Sequence, residues 1–169
     1  MEKKIIDANV LLLAGTPIRD IPDEQLDCFN KCIDFIKKCK KEKFKVLLDD
    51  NYRILNEYRN AFRLPKCPNS ATAFFKWVLQ NAEYFSLNEP KKDTFKPYPN
   101  DNTLQNFDPP DRKYIALAYV HPENPAIVEA TDSKWWGIKQ NLKKHGITVS
   151  FVDEKYIKRK YKQKMGSLS

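Results

Sequence analysis

The sequence predicts one α/β domain, in which helices cover both faces of a central parallel sheet. Short apolar segments typical of buried strands alternate along the chain with longer segments of helical period. The first strand segment is apolar on both faces, as a central strand of a parallel sheet is. The 169 residues, of which 41% are hydrophobic and 12% aromatic, suffice for one core, and the sequence contains no internal repeat.

The first half of the chain supplies two strands and three helices. Ser70 is expected to cap the third of these helices, and the second is expected to end before Pro65. In order, the predicted elements are a buried strand that gives way to a loop or helix (4–14), a helix (22–41), a strand (44–50) and two helices (51–62 and 70–85).

The second half begins with residues 86–110, which contain five prolines and are predicted to be irregular. So long a segment without regular structure is often functional in a compact domain. The predicted elements that follow are a helix (111–122), a strand (126–131), a helix closed by Gly146 (133–146) and a strand (147–153). We expect one domain over residues 1–153 and a basic tail or helix over 154–169.

The composition favours an anionic partner and no membrane. The net charge of +8 suits RNA or DNA, although a lysine-rich surface that only keeps the protein in solution is the alternative. No apolar run approaches the roughly 18 residues of a membrane span, and the N-terminus lacks the pattern of a signal peptide. We therefore expect a soluble, cytoplasmic protein.

The cysteines and histidines give weak signals. Four cysteines, at positions 28, 32, 39 and 67, include no CxxC pair. Buried free thiols are the favoured interpretation, with a soft-metal or redox role as the alternative. His121 and His145 have no evident partner, and we expect both at the surface.

Acidic residues follow two of the predicted strands. Asp7 and Asp132 stand at strand ends, and the carboxyl ends of parallel strands share one rim of a sheet, where ligands bind. Glu57 lies at the edge of the apolar stripe of its helix, from which it can reach the same rim. Its alternative is a surface ion pair with Arg53.

Two further acids precede the helix at 111–122. Asp111 is well placed to cap that helix, and Asp108 to open the turn before it. Together with Asp7, Glu57 and Asp132, these carboxylates repel one another unless a hard cation lies among them. All-oxygen ligands suit Mg²⁺ or Mn²⁺. Such a metal neutralises a phosphodiester and lowers the pKa of a bound water.

Four stretches, in order, resemble the PIN-domain family of metal-dependent nucleases, which includes the VapC-like toxins. They are "IIDANVLL", "ILNEYRNAF", "FDPPDRKYIALAYVH" and "AIVEATDSKWW". The resemblance spans roughly residues 4–152 and implies a PIN-like fold with helices around a parallel sheet. It also implies that Asp7, Glu57, Asp111 and Asp132 hold Mg²⁺ or Mn²⁺ and carry catalysis.

The resemblance further implies an endoribonuclease that leaves 5′-phosphate and 3′-hydroxyl ends. Asn9, Thr131 and Ser133 would be supporting polar groups, and Asp108 an additional metal ligand. Many bacterial members are toxins of toxin–antitoxin or defence systems, so that an antitoxin or other protein partner and a homodimer are also implied.

The chain departs from the family pattern at Lys134, where many members carry an acid. This lysine could weaken a second metal site or hold a phosphate. Arg112 and Lys113 adjoin Asp111 and are predicted, with Lys134, to contact the nucleic acid. The segment 86–110 has no counterpart in a minimal toxin of this family. It would shape substrate choice or bind a partner.

The basic clusters and the tryptophans have two interpretations each. "KYIKRKYKQK" interleaves Tyr156 and Tyr161 with lysines, which suits either phosphate contact with base stacking or a helix packed on the body. Trp135 and Trp136 are predicted in the core, with a platform for base stacking as the alternative.

Two other functions compete with a nuclease. One is a catalytically weak PIN-like module that binds RNA or protein, which Lys134 and the segment 86–110 favour. The other is an α/β phosphatase, which expects a second aspartate two residues after Asp7, where Asn9 stands.

Overall fold

A computed structural model of the chain describes residues 1–61 and 69–167. Within these residues, five strands form one sheet in the order β3-β2-β1-β4-β5, and every neighbouring pair is parallel. The strands are β1 (Lys3–Ile6), β2 (Lys45–Asp49), β3 (Ala82–Phe85), β4 (Ala126–Glu129) and β5 (Val149–Phe151). Helices flank this sheet, so the predicted three-layer α/β architecture is confirmed.

The helices alternate with the strands along most of the chain. Helices α1 to α4 pack against one another, while α6 packs on β1, β2 and β4. The helices are α1 (Ala8–Gly15), α2 (Leu26–Lys41), α3 (Arg53–Ala61), α4 (Ser70–Asn81), α5 (Asn102–Gln105), α6 (Arg112–Val120), α7 (Lys134–Lys144) and α8 (Glu154–Ser167). Single 3₁₀ turns cover Ile18–Asp20, Asp23–Gln25 and Pro109–Asp111.

The first predicted strand ends early because Asp7 starts a helix. Ile5 and Ile6 are fully buried in β1, which lies at the centre of the sheet between β2 and β4. The Asp7 side chain then accepts a hydrogen bond from the backbone N of Asn9, as an N-cap residue does. The apolar residues after Asp7 therefore belong to α1, the helical alternative of the prediction.

One strand was not predicted. Residues 70–85 were expected to form a single helix, but α4 stops at Asn81 and the next four residues form the edge strand β3, parallel to β2. No glycine or proline marks the change, and β3 is mostly half-buried. The predicted cap at Ser70 is also wrong, because the Asn69 side chain accepts the hydrogen bond from the N of Thr72, at 3.0 Å.

The remaining elements agree with the prediction apart from their ends. The strand predicted over 126–131 ends at Glu129, so Asp132 lies three residues beyond it in the turn to α7. Residues 86–101 contain no helix or strand, whereas 102–111 hold α5 and a 3₁₀ turn. Gly146 follows α7 with a φ of 74°, and the basic terminus forms α8.

The histidine prediction is wrong for His121, whose side chain is buried against Phe85 with ring centroids 4.9 Å apart. His145 is half-buried beside Asp101. Trp135 is fully buried, as predicted, and Trp136 is partly buried.

The three cysteines at positions 28, 32 and 39 are buried free thiols, as predicted. Cys67, Phe62 and the predicted helix end before Pro65 lie outside the described residues. Among the helices that are described, none combines the length and apolar character needed to cross a membrane.

Candidate functional site

The acids meet at the carboxyl end of the sheet, at the point where the order of the strands reverses. From β1 the chain builds β2 and β3 on one side and then returns to place β4 and β5 on the other. In open parallel sheets, the crevice at the carboxyl ends of two such strands is the usual ligand site. Asp7 follows β1 and Glu129 ends β4, so both stand at this crevice.

Asp7 is held in place by its neighbours. It is 7% exposed, and its Oδ1 accepts the bond from Asn9 N at 2.9 Å. The Asn9 side chain reaches across to the turn after β4, where its Oδ1 accepts from the N of Ala130 at 3.2 Å and of Thr131 at 3.4 Å. Asn9 thus ties the two strand ends together, a role that suits the predicted supporting group.

Helix α3 brings Glu57 to the same place. The buried carboxylate of Asp49 accepts hydrogen bonds from the N of Arg53 and of Ile54, both at 2.9 Å, and so fixes the start of α3. One turn later, Glu57 Oε1 accepts from Lys113 Nζ, and its Oε2 accepts from Tyr114 Oη at 2.5 Å.

The alternative ion pair between Glu57 and Arg53 is wrong. The guanidinium of Arg53 pairs instead with Glu89, at 2.5 Å, and with Asp93.

Asp111 stands at the start of α6, as predicted, but its side chain makes no capping hydrogen bond. The Asp111 carboxylate is therefore not engaged in capping the helix. Burial, followed by the charge of Asp7, raises the pKa of Asp111 to about 7. Burial is also the main cause that raises the pKa of Asp7 to about 6, and the charge of Glu57 adds to it, while the Asn9 N–H lowers it.

We call Asp7, Glu57 and Asp111 the inner group, because each lies within electrostatic reach of the other two. Asp108 and Asp132 form an outer group around Lys134. The Lys134 ammonium pairs with Asp108 and lies 3.8 Å from Asp132 Oδ2. The charge of Asp132 still reaches Asp111, so the two groups adjoin.

Glu129 was missed in the sequence. Its Oε1 accepts from the N of Ala130 at 2.8 Å and of Asp132 at 3.3 Å. Its Oε2 is buried and makes no hydrogen bond to any residue that the structure describes. Burial, and then the charge of Asp7, raises the pKa of Glu129 well above its usual value. An acid within the apolar run "AIVE" was the available signal, of the same kind that marked Asp7.

The predicted nucleic-acid contacts have different surroundings. Lys113 is 1% exposed and donates to Glu57 and to the carbonyl of Pro110, so its ammonium is engaged within the protein, and its predicted phosphate contact stays a prediction. Arg112 is half-buried, and its Nε donates to the carbonyl of Phe107 at 2.8 Å. Lys134 is half-exposed and engaged by the outer group.

The two other supporting residues lie in the turn between β4 and α7. The carbonyl of Thr131 accepts from Lys160 Nζ at 2.5 Å. Ser133 is buried, and its Oγ has no partner among residues 1–61 and 69–167.

In α8, Tyr156 is buried. The Tyr161 ring packs so closely on Gly137 that a Cβ added at this glycine would lie 3.1 Å from it. The packed interpretation is therefore correct for Tyr156, whereas Tyr161 is half-buried and also lines a cavity with Asp108 and Lys134.

A cavity of about 380 Å³ opens beside two members of the inner group, Asp7 and Glu57, while Asp111 does not line it. Its lining residues are Asp7, Ala8, Asn9, Leu12, Glu57, Asn60 and Ala61. The polar atoms that could ligate a metal there are carboxylate and amide oxygens, which suit a hard divalent cation. The buried Oε2 of Glu129 lies close to Asp7. In the described part of the chain, no three acidic, histidine or cysteine side chains are already arranged as a metal-binding group.

Comparison with protein-family models, with curated proteins and with solved structures finds no match to this chain. The function must therefore be argued from the site.

Proposed function

We propose that the protein is a metal-dependent endoribonuclease of the PIN type that hydrolyses RNA phosphodiester bonds. The observation that carries the proposal is the inner group: three carboxylates from β1, α3 and α6 come within electrostatic reach of one another at the sheet crevice. Two of them have raised pKa values, first because they are buried and second because other carboxylates lie close to them, so their ionised forms are disfavoured. A bound cation would stabilise those ionised forms.

The residues that would hold Mg²⁺ or Mn²⁺ are Asp7, Glu57 and Asp111, with Asp132 and Asp108 beside them. The chemistry that the ion supplies when bound is charge neutralisation at the phosphodiester and a lowered pKa of a bound water. Asn9 keeps Asp7 aligned with the turn after β4. Lys113 and Tyr114 each donate to one oxygen of Glu57, and so fix how that carboxylate faces the cavity.

The surface charge supports a polyanionic substrate. The net charge of +8 lies on a chain whose crevice is acidic, so the excess of lysine and arginine falls elsewhere on the molecule. Two cations adjoin the crevice: Arg112 directly follows Asp111, and Lys160 Nζ donates to the carbonyl of Thr131 in the turn after β4. RNA in the cytoplasm is the substrate and setting that we favour, and roles as a toxin with an antitoxin, or as a homodimer, rest on the family resemblance.

The second candidate is a catalytically weak module that binds RNA or protein. One observation favours it: the buried ammonium of Lys113 already pairs with Glu57, and Lys134 with Asp108. Two lysines therefore supply part of the positive charge that a metal would otherwise bring.

The test is cleavage of a single-stranded RNA followed on a gel, with Mn²⁺ and with EDTA, for the wild type and for Asp7→Asn. We expect cleavage that needs the metal and is lost in the variant. Cleavage that persists in EDTA, or full activity of Asp7→Asn, would contradict the nuclease. RNA binding without any cleavage would favour the binding module.

A further inference from the structure

The segment between β3 and α5 is held in a fixed shape by ion pairs. Arg53 on α3 pairs with Glu89 and Asp93, and Glu89 Oε1 also accepts from the backbone N of Asp93 at 2.6 Å. Leu87 and Phe95 bury their side chains in the core. This segment is therefore suited to form a defined binding surface, although it contains no helix or strand.

A second cavity, of about 630 Å³, opens between this segment and the start of α6. Its volume falls within the range of roughly 300–1,000 Å³ that is usual for sites of small ligands. It is distinct from the acidic cavity, since the two have no lining residue in common. The lining residues that matter here are Phe95, Lys96, Tyr98, Gln105 and Arg112.

The wall chemistry combines aromatic, amide and cationic groups. Tyr98 is half-buried, and its hydroxyl donates to the carbonyl of Leu104 at 3.1 Å, so its ring is held at the wall. Gln105 is exposed and offers both a donor and an acceptor. Lys96 and Arg112 add two positive charges, while the lining carboxylate of Asp93 is engaged by Arg53. Aromatic faces beside cations suit a base and its phosphate.

The cavity adjoins the acidic site through two elements. Arg112 directly follows Asp111 at the start of α6, and Arg53, which holds the segment, lies one helical turn before Glu57 on α3. A ligand in this cavity therefore lies against the same two elements that carry Glu57 and Asp111, and the charge of Lys113, which pairs with Glu57, reaches Asp93 in the cavity lining.

We infer that this cavity binds one nucleotide of a single-stranded RNA, next to the bond that is cut. The base stacks on Tyr98 and its edge meets Gln105, while Arg112 and Lys96 contact the phosphate. The base must leave its own stack to enter, which selects unpaired RNA over a duplex. This inference rests on the proposed function, because it names the substrate class of the same site.

The experiment measures binding without cleavage. A fluorescein-labelled single-stranded RNA of ten nucleotides is titrated with the full chain in EDTA, and anisotropy is recorded. We expect Tyr98→Ala to weaken binding by roughly 5- to 100-fold, the range for loss of one base–aromatic stack. Tyr98→Phe keeps the ring and should bind within about twofold of the wild type, while thermal melts check that both variants fold.

Two exposed positions keep the test decisive if Tyr98→Ala fails to fold. Lys96→Ala should lower the slope of log affinity against log salt by about one, as expected for one lost phosphate contact. Lys92→Ala is the matched control, because Lys92 is exposed on the same segment but does not line the cavity. Equal effects of the two lysine variants, or a folded Tyr98→Ala that binds like the wild type, would overturn the inference.

Competitors identify the ligand. An unlabelled single strand should displace the probe, whereas a duplex of the same sequence, a nucleoside monophosphate and inorganic phosphate should each compete at least tenfold less well. Competition by the monophosphate equal to that of the single strand would overturn the RNA assignment in favour of a free nucleotide. Because no metal or cleavage is involved, this result is independent of whether the protein proves to be a nuclease.

Discussion

The inner and outer groups of acids lie at the same rim of the sheet but differ in how their charge is balanced. In the inner group the balancing cation is Lys113, which is buried and fixed by Glu57 and the carbonyl of Pro110. In the outer group it is Lys134, whose side chain is 48% exposed and reaches both acids.

The difference indicates where an added cation would stabilise the ionised acids most. Lys113 pairs with Glu57, whereas burial first, and neighbouring carboxylates second, raise the pKa values of Asp7 and Asp111. The outer acids share an exposed lysine and are near water, where charges interact weakly. The proposed metal ion would therefore stabilise the inner group more than the outer one, and the following predictions test this difference in order of expected effect.

The largest effect is expected on RNA cleavage from Asp7→Asn. An asparagine can still accept the hydrogen bond from Asn9 N that caps α1, so the variant should fold. Losing the carboxylate removes a charge that would hold the metal. We expect the cleavage rate to fall at least roughly 100-fold, which corresponds to about 3 kcal/mol in activation free energy. Asp108→Asn, the matched change in the outer group, should lose less than about fivefold. Equal losses in the two variants would remove the distinction between the groups.

The next effect is on stability, from Lys113→Met. The methionine fills a similar volume but leaves Glu57 without its cation, and breaking a buried pair from one side is costly. Because Glu57 is partly exposed, we expect a loss of about 1–3 kcal/mol in the free energy of unfolding, measured by urea denaturation.

The control for Lys113→Met is the same change in a Glu57→Gln background. There the carboxylate that needs the cation is gone, so the additional loss should be smaller. If the loss is the same in both backgrounds, Lys113 stabilises the protein through packing and not through its charge.

The third effect concerns pH. The pKa of Asp7 is raised from its usual 3.8 to about 6 and that of Asp111 to about 7, so the folded state holds protons that the unfolded state has already released. The free energy of unfolding of the metal-free protein should therefore fall as pH rises from about 4 to about 7. Asp7→Asn removes one such group. Between about pH 4 and 7, its free energy of unfolding, from thermal melts, should therefore fall by up to about 3 kcal/mol less than that of the wild type. A steeper fall in the variant would reverse the assigned sign.

The smallest effect is expected from Lys134→Ala. Ion pairs at exposed sites contribute about 0–1 kcal/mol, so the melting temperature should change little. The outer acids lose their cation, however, and the affinity for Mn²⁺ should rise slightly. A loss of more than about 2 kcal/mol in the free energy of unfolding would mean that the outer group is as tightly coupled as the inner one.

The sequence predicts the sheet well because strand and helix periods are local signals. It fails at β3, where four half-buried residues follow α4 with no turn residue between them. Similarly, "IID" predicts a functional acid at Asp7, whereas Glu129 at the end of "AIVE" is not predicted, although it is 0% exposed against 7% for Asp7.

The partners of the acids could not be read from the chain. Lys113 meets Glu57 across 56 positions, and Lys134 meets Asp108 across 26. These contacts depend on how α3, α6 and α7 pack, which no local pattern encodes. Residue types thus located the rim and its acids, whereas the division into two groups follows from tertiary packing.

The most direct test of metal binding at the inner group is a calorimetric titration with Mn²⁺ at pH 8, where Asp7 and Asp111 are ionised. It compares the wild type with Asp7→Asn and Asp108→Asn. We predict saturable binding below millimolar concentration in the wild type, loss of that binding in Asp7→Asn, and its retention in Asp108→Asn. No binding to the wild type, or equal loss in both variants, would contradict the account.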